Sequence, residues 1–340
     1  MQNPLADEVD LRLLHLLQIA PRISWTAAGE ILGLSAGAAA ARWSKLRDAG
    51  LAWIAVYPNV AVPGQVTAFI DVYCTAQKRR DVAAALCQDP RVVSIDECAR
   101  GRDLILTVVS PDLSTLSSFV LDEIRDMDGV TETGTSLVTA IHAEGAAWRL
   151  DALDAEQKRR AQAANDAPRV PTPAPPIEEI WPLLQELVRD PRISIAELAR
   201  ITDRNPATVR RHVAQLLGSG TITLRCNTAP PVSGWPIECS WLTRVPPAAL
   251  TRSVEALRSL PQLRMCMSVT GESNLIFTTY SRELGDVATF AERLGVVLPS
   301  IQLQETLVHM RSLKRMGWLL RPDGRATGEI VVPNPRYLPA

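Results

Sequence analysis

The spacing of hydrophobic residues changes along the chain from a helical period to a strand period, and it does so in the same order in both halves. Near the amino terminus, and again after residue 177, leucines and isoleucines recur at the spacing of one helix face. These positions are Leu13, Leu14 and Leu17 in the first half, and Ile180, Leu183, Leu184 and Leu187 in the second. Further along each half, apolar and polar residues alternate as in a half-buried strand. The pattern predicts a helical unit and a strand-rich unit, each occurring twice.

Each helical unit is predicted to contain three helices. Short middle helices are expected over 25–32 and 195–201, and each follows a serine that can cap it. Ser35 and Asn205 are good caps for the third helices, which should stop at a glycine. A helix, a short helix, a tight turn and a capped helix make up the helix-turn-helix order of DNA-binding proteins.

Each strand-rich unit is predicted to be a ferredoxin-like domain with the order βαββαβ. The elements are expected at 66–73, 79–86, 92–99, 104–109, 116–127 and 136–142, and at 237–241, 250–257, 264–269, 275–280, 287–294 and 306–313. Four antiparallel strands would cover two helices with one face and leave the other face without a partner. We therefore expect an α+β chain whose two ferredoxin-like domains associate as an intrachain pseudo-dimer, with a further dimer or a higher assembly left open.

The two halves are read as a tandem duplication. The string Pro-Arg-Ile-Ser occurs at 21–24 and again at 191–194, and the same offset relates Gly50 to Gly220 and Gly101 to Gly271. Helix formers and then closely spaced prolines separate the copies, which predicts a semi-rigid hinge. The expected domains are helix-turn-helix units at 1–57 and 177–226, ferredoxin-like domains at 62–147 and 232–315, a linker at 148–176 and a carboxyl-terminal tail at 316–340.

Composition narrows the possible partners only a little. The chain is 46% hydrophobic and 21% charged, which is ordinary for a globular protein, and its formal net charge is −1. Any contact with nucleic acid must therefore come from local clusters of Lys and Arg. The six cysteines are well separated, no two histidines have metal-ligand spacing, and neither a membrane span nor a signal peptide is present. We expect reduced cysteines, a cytoplasmic protein, no membrane partner, no metal and no cofactor.

The residues suited to contact double-stranded DNA are distributed unequally between the copies. Cations can bind phosphates, and polar groups near the start of the third helix can reach base edges. The candidates are Ser35, Arg42, Lys45 and Arg47 in copy one, and Arg204, Asn205, Thr208, Arg210, Arg211 and His212 in copy two. In copy one the helix opens with alanines and a glycine over 36–41, so sequence reading is expected mainly from copy two. The alternative is that these arginines form an ordinary solvated helix face.

These features, in this order, resemble the Lrp/AsnC family of feast-or-famine transcriptional regulators. The resemblance rests on Asp-x-x-Leu-Leu-x-x-Leu from Asp10, on the Pro-Arg-Ile-Ser strings, on Gly33-Leu34-Ser35 with Arg42, and on the loops 101–104 and 270–275. It covers nearly the whole chain twice, whereas ordinary members carry one copy and dimerise through the sensory sheet. Copy two departs from the family pattern, because Arg204 and His212 stand where copy one has Leu34 and Arg42.

The resemblance implies a small-molecule effector, typically an amino acid, bound between the ferredoxin-like (RAM-type) domains. The residues that match the family's loop and last strand are Gly101, Asp103 and Thr135 in copy one, and Gly271, Ser273, Asn274 and Thr306 in copy two. A glycine in a tight turn lets a polar ligand approach backbone N–H groups. The alternative is that both loops are plain hairpin turns.

We expect a regulator and not an enzyme. Two other classes of function remain as alternatives. Siroheme decarboxylases of heme biosynthesis resemble this architecture and also occur as fused pairs. Their His-Asn-Tyr motif is missing, because the matching stretch 268–277 contains neither His nor Tyr. The third class is a sensory protein that keeps the fold and has lost DNA binding, which the alanine-rich helix favours and the arginines of copy two oppose.

Overall fold

The computed structural model describes residues 5–58, 64–143, 148–165 and 177–333. The first copy folds into three helices and a strand, followed by the βαββαβ domain. These elements are α1 (Glu8–Ile19), α2 (Trp25–Leu32), α3 (Ala36–Asp48), β1 (Ala52–Pro58), β2 (Val66–Cys74), α4 (Arg79–Gln88), β3 (Val92–Cys98), β4 (Leu104–Ser110), α5 (Leu113–Ser118) and β5 (Val130–Ala143). A π-helical turn, Phe119–Ile124, extends α5.

A helix between the copies and the second copy complete the chain. The elements are α6 (Ala155–Asn165), α7 (Ile177–Arg189), α8 (Ile195–Ile201), α9 (Pro206–Gly218), β6 (Ile222–Thr228), α10 (Pro230–Ser233), β7 (Ile237–Arg244), α11 (Leu250–Arg258), β8 (Leu263–Val269), β9 (Leu275–Ser281), α12 (Leu284–Val297), β10 (Gln302–Arg315), β11 (Trp318–Leu320) and β12 (Ala326–Ile330). The predicted order of helices and strands is confirmed in both copies, and the last strand of each domain is longer than predicted.

The helical units form around the leucine and isoleucine faces that the sequence marks. Leu13, Leu14 and Leu17 are fully buried in the first unit, and Leu183 and Leu187 occupy the same role in the second. Gly50 ends the first unit with a φ of +68°, and a Cβ there would lie 2.2 Å from the carbonyl oxygen of Ala326. Only glycine fits this position, because it satisfies both the left-handed turn and the close approach of the chain's end.

The two ferredoxin-like sheets close into an eight-stranded barrel. The hydrogen-bonded order runs β10-β3-β4-β2-β5-β8-β9-β7, and β7 pairs again with β10. Each long last strand crosses to the other copy, since β5 pairs with β8 and β10 pairs with β3. The helices cover the outside, and the faces left over by the two sheets meet in the interior. This arrangement is the intrachain pseudo-dimer that the sequence predicts.

A two-stranded ribbon joins the helical units across the copies. Strands β1 and β6 pair antiparallel, from Ala52 opposite Thr228 to Pro58 opposite Ile222. One face of the ribbon packs on the helices of both units, with Ile54 and Cys226 in the first helical core and Val56 and Ile222 in the second. The ribbon therefore forms a layer between the helix-turn-helix pair and the barrel.

The first part of the linker forms the helix that its composition predicts and packs on the first helical unit, and the tail forms a hairpin. Trp148, Leu150, Leu153 and Ala161 join the core of the first helical unit, so 148–165 belong to that unit rather than to a hinge. The proline-rich part, 166–176, lies outside the described residues. Within the tail, β11 and β12 form a hairpin that continues the sheet from β10.

The described residues include all six cysteines and the helices that could be compared with a membrane span. All six cysteines are free; Cys226, Cys239 and Cys266 are buried and the other three are half-buried. None of the helices in the described ranges is both long enough and apolar enough to cross a membrane.

Candidate functional site

The third helix of each helical unit begins at the capping residue predicted from the sequence. The side chain of Ser35 accepts the backbone N–H of Ala38, and that of Asn205 accepts the N–H of Ala207. Both caps are exposed. Two of the predicted DNA-contact residues therefore also fix the start of the helix that would enter a groove.

Free positive charge in the second unit is concentrated on its third helix. Arg210 and Arg211 are exposed on α9, and neither forms an ion pair with a carboxylate of the described residues. Two other arginines of this unit are neutralised, because Arg200 lies 2.6 Å from Glu197 and Arg189 lies 2.6 Å from Glu186. Two further DNA-contact candidates of this unit, Arg204 and Thr208, are half-buried. The local charge surplus therefore lies where a helix-turn-helix contacts DNA.

Arg42 and His212, which occupy matching positions, both tie the third helix to the first within their own unit. The Arg42 guanidinium lies 2.7 Å from Asp7 and 2.6 Å from Asp10, and hydrogen bonds to these carboxylates raise the pKa of Arg42. The buried His212 ring lies 3.4 Å from Glu179, and burial lowers its pKa. Neither side chain is free in this arrangement. Lys45 and Arg47 are the exposed cations of α3, and Arg47 lies 3.1 Å from Asp48.

The duplicated Pro-Arg-Ile-Ser strings contact each other. Arg22 donates to the carbonyl oxygens of Pro191 and Ile193, the latter at 2.9 Å. Arg192 donates to the equivalent carbonyl oxygens of copy one, Pro21 at 2.5 Å and Ile23 at 2.7 Å. The repeat that reveals the duplication is thus a reciprocal clamp about a pseudo-two-fold axis, and it fixes the two helix-turn-helix units relative to each other.

The effector-loop candidates of copy one lie against the last strand of copy two. Arg102 is buried and bridges Asp71, at 2.8 Å, and Glu305 of β10. A Cβ at Gly101 would lie 3.3 Å from the Glu305 carboxylate. The Asp103 side chain accepts the N–H of Cys74. The neighbour of this loop is therefore the strand that carries Thr306, which is exposed.

The matching loop of copy two lies against the last strand of copy one. Thr270 exchanges two hydrogen bonds with the backbone of Leu137 on β5, and a Cβ at Gly271 would lie 3.7 Å from the Ser136 hydroxyl. Asn274 hydrogen-bonds to both backbone groups of Val245. Ser273 is buried and Thr135, on β5, is exposed. Each predicted loop thus meets the last strand of the opposite copy.

A buried charged cluster inside the barrel was not predicted. Asp96, Glu238 and His309 place one ligand-type atom each within 4.8 Å of one another. Guanidinium groups already bind the Glu238 carboxylate, with Arg264 at 2.9 Å and Arg315 at 2.7 Å. Burial opposes ionisation of Asp96, but His309 and Arg315 hold the pKa of this carboxyl below its ordinary value. Burial also opposes protonation of His309, but Asp96 and Glu238 outweigh it and raise the pKa of the imidazole.

The alternation in β7 contained the signal for this cluster. Glu238 and Ser240 alternate with apolar residues and are typical of a solvent-facing side. They are buried because the second sheet covers that side, and Ser240 lies 2.8 Å from His309 of β10. Polar residues on a sheet face that a second sheet covers can therefore lie in the protein interior.

Comparisons with known proteins agree with this architecture. The AsnC-type helix-turn-helix domain matches residues 7–47, the Lrp/AsnC ligand binding domain matches 67–148, and a winged helix-turn-helix DNA-binding domain matches 183–223. The HTH-type transcriptional regulator FL11 of Pyrococcus furiosus is 26% identical over 140 residues, which is 41% of this chain and 92% of that protein. FL11 of Pyrococcus abyssi is 28% identical over 140 residues, again 41% of this chain and 92% of the relative.

A solved structure matches both halves together. The siroheme decarboxylase NirDL covers 91% of this chain and 93% of its own length, with a TM-score of 0.57 and 16% sequence identity. At this identity the likeness shows the shared fold alone.

The fold and the matched domains define a protein with two helix-turn-helix units and one barrel of two ligand-binding modules. The first half of the chain matches both domains of the Lrp/AsnC family, and the second half repeats their fold and matches a winged helix-turn-helix.

Proposed function

We propose that this chain is a transcriptional regulator that binds double-stranded DNA as a fused, asymmetric dimer. The observation that carries the proposal is the pair of exposed arginines on α9, Arg210 and Arg211, which form no ion pair with the carboxylates of the described residues, in a unit clamped to a second helix-turn-helix. The names of the relatives, HTH-type transcriptional regulators, support the same class. Lys45, Arg47, Arg204 and Thr208 are proposed as further contacts.

The two readers are proposed to bind unlike half-sites. Homodimeric helix-turn-helix proteins bind palindromes because both recognition helices are identical. Here Ala38 and Ala40 of α3 stand where α9 has Thr208 and Arg210. Sequence would be read chiefly by α9, and α3 would contact phosphates through Lys45 and Arg47. A footprint with equal protection of a perfect palindrome would contradict this asymmetry.

Replacing Arg210 or Arg211 by alanine is expected to weaken binding to the operator. Loss of a phosphate contact should lower the slope of log affinity against log salt by about one, whereas loss of a base contact should cost about 1–3 kcal/mol and relax specificity at one position. The measurement is a titration of labelled operator at two salt concentrations, after genome-wide mapping of bound DNA has identified the site.

Arg252→Ala provides the matched control for these variants, because Arg252 is exposed on α11 of the barrel. The Arg252→Ala variant also removes one positive charge, but from a surface that is not proposed to contact DNA. Equal losses in Arg252→Ala and Arg210→Ala would mean that net charge, rather than the α9 surface, governs binding.

We further propose that a small-molecule effector of the amino-acid class binds where each loop meets the opposite last strand. The residues concerned are Gly101, Asp103 and Thr306 at one place, and Gly271, Ser273, Asn274 and Thr135 at the other. A bound amino acid at ~100 times its dissociation constant should stabilise the fold by about 2.7 kcal/mol. Thermal unfolding in a panel of the twenty amino acids measures this effect, and a flat panel would leave both loops as ordinary hairpins.

A siroheme decarboxylase-like enzyme is the second candidate. The buried Asp96–His309 pair, 3.5 Å apart beside a barrel cavity of about 110 Å³, favours it, together with the fold shared with NirDL. When siroheme is mixed with the protein, the absorption spectrum of siroheme would then change, and siroheme would lose carboxyl groups as carbon dioxide. An unchanged spectrum and no carbon dioxide would remove this candidate.

A further inference from the structure

The ribbon between the helical units and the barrel has one face that carries polar and aromatic side chains. In an antiparallel pair, residues opposite each other share a face, and so do residues two apart along a strand. Trp53 lies opposite Asn227, and Ala55 lies opposite Arg225. Trp53, Arg225 and Asn227 therefore point to the same side of the ribbon, away from the residues that pack on the helices.

A cavity of about 200 Å³ lies at this side of the ribbon, and all three side chains line it. Its other walls come from the barrel, from the segment that follows β5 and from the carboxyl-terminal hairpin. Three aromatic rings pack edge to face at this wall: Trp148 lies 6.4 Å from Trp235 and 4.9 Å from Tyr280, between ring centroids. We name this cavity the ribbon pocket.

Four buried donor atoms of the ribbon have no acceptor among the described residues. Arg225 is 5% exposed, and its Nε and Nη1 make no hydrogen bond within the described part of the chain. The same holds for Nδ2 of Asn227 and Nε1 of Trp53. A buried donor without an acceptor destabilises the folded state, so native structures contain few of them. Several donors lining one cavity indicate an acceptor that is not part of the protein.

Arg225 also forms no ion pair with a carboxylate of the described residues. The two carboxylates of the neighbouring cluster, Asp96 and Glu238, are held by His309, Arg264 and Arg315. Burial lowers the pKa of Arg225, and the nearby Arg264 and Arg315 lower it further. The centroid of the Tyr57 ring lies 5.8 Å from the Cζ atom of Arg225. A lone buried cation is strongly unfavourable unless an anion joins it.

We propose that the ribbon pocket binds a small organic anion, a carboxylate on a flat apolar body, with Arg225 as its counter-ion. Asn227 and Trp53 donate to the ligand's oxygens, and Trp148, Trp235 and Tyr280 contact its ring. The site is separate from the loops that match the family's effector region. Because the ligand touches both the ribbon and the barrel, its occupancy changes how firmly the helix-turn-helix pair is held, and this regulatory consequence rests on the proposed function.

The direct test is binding of two probe carboxylates, benzoate and indole-3-acetate, to the full chain without DNA. Quenching of tryptophan fluorescence and thermal unfolding are the readouts, and benzamide, the uncharged relative of benzoate, is the ligand control. Both carboxylates are expected to bind, and Arg225→Met or Asn227→Leu is expected to weaken them at least about tenfold. Arg210→Ala, which is expected to impair DNA binding, should leave probe binding unchanged. A failure of the ribbon-pocket proposal can therefore be distinguished from a failure of the DNA-binding proposal.

Stability without any ligand gives an independent readout. Arg225→Met removes an uncompensated buried charge, so its urea midpoint should equal or exceed that of the parent chain. Arg264→Met breaks the ion pair with Glu238 and should lower the midpoint. The proposal is overturned if neither carboxylate binds, if benzamide binds as well as benzoate, if Arg225→Met keeps the response, or if sodium chloride at equal ionic strength reproduces it.

Discussion

Replacing Arg22 and Arg192 together by alanine is expected to destabilise the protein by about 4 kcal/mol and to lower operator affinity at least tenfold. The two guanidinium groups make four hydrogen bonds to backbone carbonyl oxygens of the opposite copy. Arg192 also lies 3.8 Å above the Trp25 ring. Truncation leaves the carbonyl oxygens without donors and removes the clamp that sets the spacing of the two recognition helices.

Urea unfolding and operator titration measure these two effects. Arg200→Ala is the matched control, because Arg200 is exposed and its ion pair within the described residues is with Glu197 of its own helix; a change within about 0.5 kcal/mol is expected. Lysine at both clamp positions should give an intermediate loss, since an ammonium cannot span two carbonyl oxygens as a guanidinium does. A double alanine variant that unfolds at the parent's urea midpoint would mean that the clamp contributes nothing to stability.

Mild acid is expected to release the segment after Trp148 from the first helix-turn-helix unit through protonation of His15. The Nδ1 atom of His15 accepts the backbone N–H groups of Ala152 and Leu153, both at 3.1 Å. Burial, followed by the nearby charges of Lys158 and Arg149, lowers the pKa of His15 from 6.5 to about 4. A proton on Nδ1 would displace both donors, so the folded state resists protonation.

The sign of the pH effect follows from this lowered pKa. Between about pH 6.5 and pH 4 the unfolded chain carries a proton on His15 that the folded chain lacks, so the free energy of unfolding falls as the pH falls. The full contribution is present above pH 6.5 and is lost once the pH passes below 4. Allowing for screening by solvent, the loss is up to about 2 kcal/mol.

His15→Asn is the matched variant, because the asparagine side-chain oxygen can accept the same N–H groups and does not titrate. Its unfolding free energy should depend less on pH over this range. Amide exchange in Ala155–Asn165 should accelerate at pH 4.5 in the parent chain and remain slow in the variant. Identical pH dependence of both proteins would show that His15 does not govern the docking of this helix.

The helix-turn-helix units were predictable because their determinants are local. Capping by Ser35 and Asn205, the glycine at position 50 and the buried leucine face are all encoded within a few residues of the element that they shape. The role of Arg42 and His212 was not predictable in the same way. Their partners, Asp10 and Glu179, lie more than thirty residues away on the first helix, so spacing alone suggested cations free for DNA.

The sequence by itself determined the duplication, the order of helices and strands and the unequal chemistry of α3 and α9, because periodicity, caps and local charge are properties of short segments. Tertiary structure alone decided that Arg22 and Arg192 clamp the two readers, that Glu238 and His309 face inward, and that Arg225 lies buried with no carboxylate partner among the described residues. These outcomes depend on which surfaces meet when two sheets close into a barrel. A polar residue on a strand has the same spacing whether water or a second sheet covers it.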